Sequence, residues 1–129
     1  MRKAVGAFLG ALGLLGAALW MMRDGGREYE ARDAIQVIAA EVDRLLRENP
    51  AATPDDIDRA ILWLGRASVI HVEAGSDGRP VDPYGAPFRV RREVTGPESV
   101  TTAASAGRDR RWGTEDDLVE TVRRPRAGD

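Results

Sequence analysis

The chain contains no cysteine. That excludes a disulfide framework, a thiolate metal site and a cysteine nucleophile. Histidine is nearly absent too. His71 is the single one, and a histidine-cluster zinc site needs several nitrogen or sulfur ligands. Lysine is reduced to Lys3, an arginine bias that fits a GC-rich bacterial genome. Concentrated positive charge is also missing. The net charge of −2 becomes −4 when the two positive charges of Arg2 and Lys3 are set aside. A remainder that acidic has no electrostatic footprint for nucleic acid. Arg89, Arg91 and Arg92, and then Arg123, Arg124 and Arg126, are local exceptions. They read as a solvated strand face and a tail.

What is present begins with an apolar run. Ala4 to Met22 carries no charged residue. At ~1.5 Å per residue, a helix of this length spans roughly 28 Å, close to the hydrocarbon thickness of a bilayer. A helix satisfies its own backbone inside lipid, so the segment is expected to be helical despite its four glycines. Arg2 and Lys3 precede it and favour a cytoplasmic N-terminus with the remainder exported, while Arg23 and Arg27 on the far side weaken that vote. A cleaved signal peptide is the competing reading, with Gly16-Ala17-Ala18 as small residues. The run is longer than the usual apolar region of such peptides, and Trp20, Met21 and Met22 would sit just past the cut. Both readings place the domain outside the cytoplasm. Gly6, Gly10, Gly13 and Gly16 form a small-residue stripe that permits close approach of another membrane helix.

The rest of the 129 residues suffices for one domain with a modest core. Gly25-Gly26 is expected to interrupt the helix just outside the membrane. Ile35, Ile38, Ala39, Val42, Leu45 and Leu46 recur at helical spacing and predict a helix from about Glu28 to Glu48, ended by Asn49-Pro50. Thr53 suits an N-cap, Pro54 a first turn, and Asp55 and Asp56 complement the helix dipole. That predicts a second helix whose buried face is Ile57, Ala60, Ile61 and Leu64, with Gly65 near its end. The period then changes to two. Ser68–Glu73 reads as a strand, with Val69 and His71 on one side and Ile70 and Val72 on the other. Gly75-Ser76-Asp77-Gly78 is a turn. Phe88–Val94, Val100–Ala104 and Leu118–Val122 are three further strands. Helices first and short antiparallel strands after give an α+β class. The expected arrangement is an N-terminal transmembrane helix, an amphipathic helix and a short second helix packed on a small antiparallel sheet. The segments divide as 1–23 membrane anchor, 24–67 helical region, 68–124 sheet with acidic loop, and 125–129 disordered tail. His71 has no serine or acid placed to make a triad, so no enzymatic activity is expected.

Two stretches carry chemical information. In Asp82-Pro83-Tyr84-Gly85-Ala86-Pro87-Phe88, Asp at i, Pro at i+1 and Gly at i+3 describe a type I turn that leads into a strand. In Ser105-Ala106-Gly107-Arg108-Asp109-Arg110-Arg111-Trp112-Gly113-Thr114-Glu115-Asp116-Asp117-Leu118, four carboxylates crowd a loop between two strands. A hard divalent cation relieves their repulsion, and calcium takes six to eight oxygen ligands. Gly107 and Gly113 let the chain curl. The alternating acid register of an EF-hand is absent. The plainer reading is a solvated turn, with Thr114 capping through the backbone of Asp116 or Asp117.

The order of these pieces resembles the major pseudopilin of type II secretion systems. An apolar N-terminal helix runs on into an amphipathic one. A D-P-Y-G-x-P-F turn enters a strand, and an S-x-G-x-D-x-x-x-G-T-x-D-D-L loop precedes the last strand. The likeness covers Ser68 to Val122 closely and the helical half in layout. It implies a pseudopilin-like structural protein of the bacterial inner membrane, single-pass, with its C-terminal domain in the periplasm. It further implies a bound Ca2+, with Asp109, Asp116 and Asp117 as side-chain ligands and Ser105 and its neighbours supplying backbone carbonyls. The implied partners are the inner membrane through residues 4–22, and either further copies of the chain or another envelope protein. The chain departs from the family in three ways. No Gly-Phe pair opens its apolar run, and no acid interrupts that run. Arg108, Arg110 and Arg111 stand where proline and glycine are common, and would weaken a cation or pair with the carboxylates in its place. Gly25-Gly26 falls within what would be one long helix. The alternative these departures favour is a monomeric membrane-anchored module that binds another periplasmic protein and has lost filament assembly.

Overall fold

The computed structural model describes residues 2–125, with side chains from residue 25 onward. Two helices come first, α1 (Arg2–Glu48) and α2 (Pro54–Arg66). Five strands follow: β1 (Glu73–Ala74), β2 (Pro80–Val81), β3 (Arg89–Thr95), β4 (Glu98–Ser105) and β5 (Leu118–Pro125). β1 and β2 make a two-stranded ribbon, and β3-β4-β5 make an antiparallel sheet with β4 in the middle. The α+β class holds. The proposed membrane span at 4–22 lies outside the residues whose side chains are described. Among the described residues no helix is long and apolar enough to cross a membrane. The expected tail also lies outside them, apart from Pro125, which the structure places at the end of β5.

Helix α1 lays its apolar stripe on the sheet. Ala31, Ala34, Ile35, Ile38, Ala39 and Val42 are all fully buried. Three of the six are alanines, and their small side chains let the helix axis approach closely. Opposite lie the inward residues of the two strands that α1 contacts most, β4 and β5: Thr101, Ala103 and Ser105, with Leu118 and Val122. Ile61 and Leu64 of α2, with Ile70 and Phe88, close the core from the side. Each large aliphatic buried here contributes about 1.5–3 kcal/mol.

Gly25-Gly26 does not interrupt the helix, because α1 runs through both. Both glycines are exposed, and a mid-helix glycine costs only about 1 kcal/mol relative to alanine. The helical residues on either side outweigh that cost, so α1 continues unbroken. The second helix begins as expected. Thr53 Oγ1 accepts from the Asp56 amide at 3.2 Å, and Asp56 Oδ2 accepts from the Thr53 amide at 2.9 Å, a reciprocal capping box. The Thr53 amide first, and then the Thr53 hydroxyl, hold the Asp56 carboxyl below the usual carboxylate range.

The strand expected at Ser68–Glu73 is a correction. Only Glu73 and Ala74 pair, with Val81 and Pro80. Residues 68 and 69 are spent closing α2: the Ser68 amide bonds to Gly65 O at 3.1 Å and the Val69 amide to Leu64 O at 3.0 Å. Ser68 takes the left-handed conformation (φ 59°) that such a helix end requires. The alternation of faces survives without a sheet. Ile70 is buried and Val72 packs against the core, while Val69 and His71 are exposed. β3, β4 and β5 match the other three expected strands: β3 is shifted one residue later, leaving Phe88 outside it, β4 is extended at both ends, and β5 runs on from Val122 to Pro125.

Candidate functional site

The turn and the acidic loop are joined through one buried carboxylate. Asp82 is 3% exposed. Its Oδ1 accepts from the amides of Tyr84 and Ala86, both at 2.9 Å. Its Oδ2 accepts from the Ser105 hydroxyl at 2.6 Å. The Gly85 amide bonds to Asp82 O at 2.9 Å, with Gly85 at φ 85°, as the expected turn demands. Ser105 Oγ in turn accepts from the Gly107 amide at 3.2 Å. A chain of hydrogen bonds therefore runs from the turn through Asp82 and Ser105 to the start of the loop. Every bond to Asp82 is charge-assisted and sheltered, which strengthens it.

Gly107 is where the two limbs of the loop meet. Its φ is 76°, and a Cβ built there would lie 2.0 Å from the carbonyl oxygen of Asp116. Only glycine admits that approach. Two further ties hold the loop's far side. Arg110 Nη2 donates to Gly85 O at 3.3 Å, so this arginine serves the turn's backbone. Arg89 stacks over the Trp112 ring, 4.1 Å from its centroid, a cation–π contact.

The sequence-derived ligands are placed as follows. Asp109 Oδ1 accepts from the Arg111 amide at 2.9 Å. That bond first, then the Thr114 hydroxyl and the nearby Arg111 charge, hold the Asp109 carboxyl below the usual carboxylate range. Asp117 Oδ2 accepts from the Gly113 amide at 2.8 Å. Its other oxygen, Oδ1, is buried with no hydrogen-bond partner. Asp116 is half-buried, and its amide bonds to Thr114 Oγ1 at 3.3 Å, so Thr114 does cap the turn. Ser105 is fully buried, its hydroxyl committed to Asp82 and its main chain in register with Leu118. The loop thus brings Asp116 and Asp117 to one end. Among the described residues, no three acidic or histidine side chains are gathered closely enough to hold a metal.

A cavity of about 260 Å³ opens beside Asp116 and Asp117, floored by Gly107 and Leu118 and bounded by Tyr84. Its charged lining is mixed: the carboxylates of Glu28, Glu115, Asp116 and Asp117 stand with the guanidinium groups of Arg32 and Arg108. A buried carboxylate oxygen without a partner is costly unless something compensates it. Asp116 and Asp117 line this cavity together, and Asp109 does not.

Sequence reasoning missed the roles of two buried carboxylates, Asp82 and Asp43. Asp82 reads as a turn residue, and its partner Ser105 is distant in sequence. Asp43 is fully buried under the sheet. It accepts from Thr101 Oγ1 at 3.3 Å, from Arg47 Nε at 3.2 Å and from Arg124 Nε. It lies four residues after Ala39, within the apolar stripe, and that position was the available signal. His71, exposed and 4.0 Å from Glu73, joins no cluster of this kind.

Compared with known proteins, the chain matches no family model, no curated protein and no solved structure.

Proposed function

We propose that the chain is a pseudopilin-like structural protein of a bacterial envelope assembly, non-enzymatic and anchored in the inner membrane through residues 4–22, with calcium pinning its C-terminal loop. The observation that carries the reading is the buried, unpartnered Oδ1 of Asp117. It stands on a loop that also holds Asp109 and Asp116 and that is wired through Ser105 to the Asp82 turn. The motif order supports the same reading. On it, the cation draws the three carboxylates together and fixes the start of β5, the last strand. A ligand that binds the folded form alone adds RT ln(1 + [L]/Kd), about 2.7 kcal/mol at a hundredfold excess over Kd.

Thermal unfolding with calcium and with chelator tests the metal. The melting temperature is expected to fall in chelator, and Asp117→Ala is expected to remove the difference. Superimposable curves in calcium and chelator contradict the reading. Assembly is tested by crosslinking in membranes, where a ladder of the chain with itself is expected. A second reading, a module that binds a foreign envelope protein, is favoured by the apolar run's lack of an internal acid. A single foreign crosslinked partner in place of the ladder selects it.

A further inference from the structure

Helix α1 is unbroken from Arg2 to Glu48, so every residue beyond the apolar run stands at a set height above it. Glu28 and Arg32 lie roughly 9 and 15 Å along the axis from Met22. They share the wall of one cavity with Gly107, Arg108 and Leu118. The acidic loop therefore hangs at the end of the domain nearest the run. The opposite end is the turn joining β3 to β4, where Thr95 pairs with Glu98, roughly 23 Å along β4 from Ser105. Charge within the loop is segregated. Glu115, Asp116 and Asp117 line the cavity beside α1, and Arg110 and Arg111 do not. Asp109 is turned back onto the Arg111 amide at 2.9 Å. Arg108, Arg110 and Arg111 are exposed. Between Arg108 and Trp112, three guanidinium groups stand against one carboxylate, a local charge of +2. The tip is also held in shape, by Arg110 on Gly85 O and by Arg89 over Trp112.

We propose that this tip is a membrane contact, in which Arg108, Arg110 and Arg111 bind headgroup phosphates of the bilayer that holds α1. This rests on the membrane reading of residues 4–22 and adds a second, electrostatic attachment to it. The headgroup layer extends about 5–8 Å beyond the hydrocarbon. A loop beside residues roughly 9–15 Å above the run stands just over that layer, and long arginine side chains bridge the remainder. A guanidinium group matches phosphate oxygens two at a time. Trp112, half-buried at the tip, is a residue type at home at the membrane–water boundary. Asp24, Glu28 and Glu30 on α1 oppose any diffuse attraction, so the contact is local to the tip and favours anionic lipid. Because α1 already holds the loop beside the bilayer, weak contacts suffice at the high effective concentration. The consequence is a fixed tilt of the domain over its own anchor.

The test uses the full chain in vesicles of phosphatidylcholine, alone or mixed with anionic phosphatidylglycerol. The chain has no cysteine, so Glu115→Cys places one spin label beside the tip and Thr95→Cys places one at the opposite end. Relaxation by a nickel chelate carried on lipid headgroups reads the distance of each label from the surface. Strong relaxation is expected at 115 and little at 95, greater at 115 with anionic lipid and weaker at high salt. Replacing Arg108, Arg110 and Arg111 by glutamine is expected to lower the docked population at least about fivefold, the effect of a single arginine near an anionic surface. Replacing the same three by lysine is expected to keep most of it, which separates loss of charge from loss of the loop's shape. If the glutamine variant is relaxed at 115 as strongly as the unmutated loop, or if 95 and 115 are relaxed alike, the inference falls while flotation of the chain with vesicles leaves the membrane reading intact. If the chain does not float with vesicles, both fall together.

Discussion

Gly107→Ala tests whether the loop is built as tightly as its backbone implies. Alanine at φ 76° pays about 1–2 kcal/mol for the left-handed conformation alone. Its methyl would also start 2.0 Å from Asp116 O and 2.8 Å from Asp116 C. Carbon and carbonyl oxygen make their closest favourable contacts at roughly 3.3 Å, so the Asp116 peptide must retreat by more than about 1 Å. Overpacking of that kind costs typically about 1–3 kcal/mol. The expected loss is therefore about 2–5 kcal/mol, read by equilibrium urea unfolding followed by tryptophan fluorescence. Gly113→Ala is the control. Gly113 also has positive φ, at 83°, but nothing stands within 4 Å of its added Cβ, so about 1–2 kcal/mol is expected from backbone strain alone. Equal losses at the two glycines, or a loss below about 1 kcal/mol at Gly107, would refute the close approach of the limbs.

Asp43→Ala is expected to cost about 2–3 kcal/mol in the same assay, and Asp43→Leu distinctly less. Removing one member of a buried pair leaves its partners uncompensated, while Arg47 and Arg124 are exposed enough to turn partly to solvent. Ser68→Gly is expected to stabilise by up to about 1 kcal/mol, because glycine accepts the left-handed conformation at the end of α2 without the side-chain penalty. Acid is expected to weaken α2 through Asp56. Its folded-state pKa is depressed, so its stabilisation is present above the usual aspartate value of about 3.9 and is lost as pH falls through the lower folded value. Asp56→Asn should flatten the fall in melting temperature on acidification below that point, and an unchanged profile would remove Asp56 from the explanation.

Much of the fold was legible because local chemistry and burial agree. The stripe from Ile35 to Val42, the Thr53 cap and the alternation in β3 to β5 each declare an element within a few residues. The failures have physical causes. Gly25-Gly26 looks like a break, yet two glycines cost too little to stop a helix favoured on both sides. Ser68–Glu73 alternates like a strand, but its first residues are committed to closing α2, and the segment has no partner strand until Glu73. In the candidate site, Asp109, Asp116 and Asp117 stand out by crowding and by the motif they complete. Asp82 and Ser105 stand out only as the first residues of the turn and loop motifs, and nothing local shows that they pair. Their 2.6 Å contact exists only once β4 returns beside the turn, and no local pattern encodes a pairing of that range.

Terbium luminescence reports most directly on whether the loop carboxylates share one cation. Trp112 lies within the loop and can sensitise a terbium ion held by Asp109, Asp116 and Asp117. Saturable emission at one ion per chain is expected, displaced by calcium and absent in Asp117→Asn. Emission that never exceeds the background of Asp117→Asn, or that calcium does not displace, would contradict it.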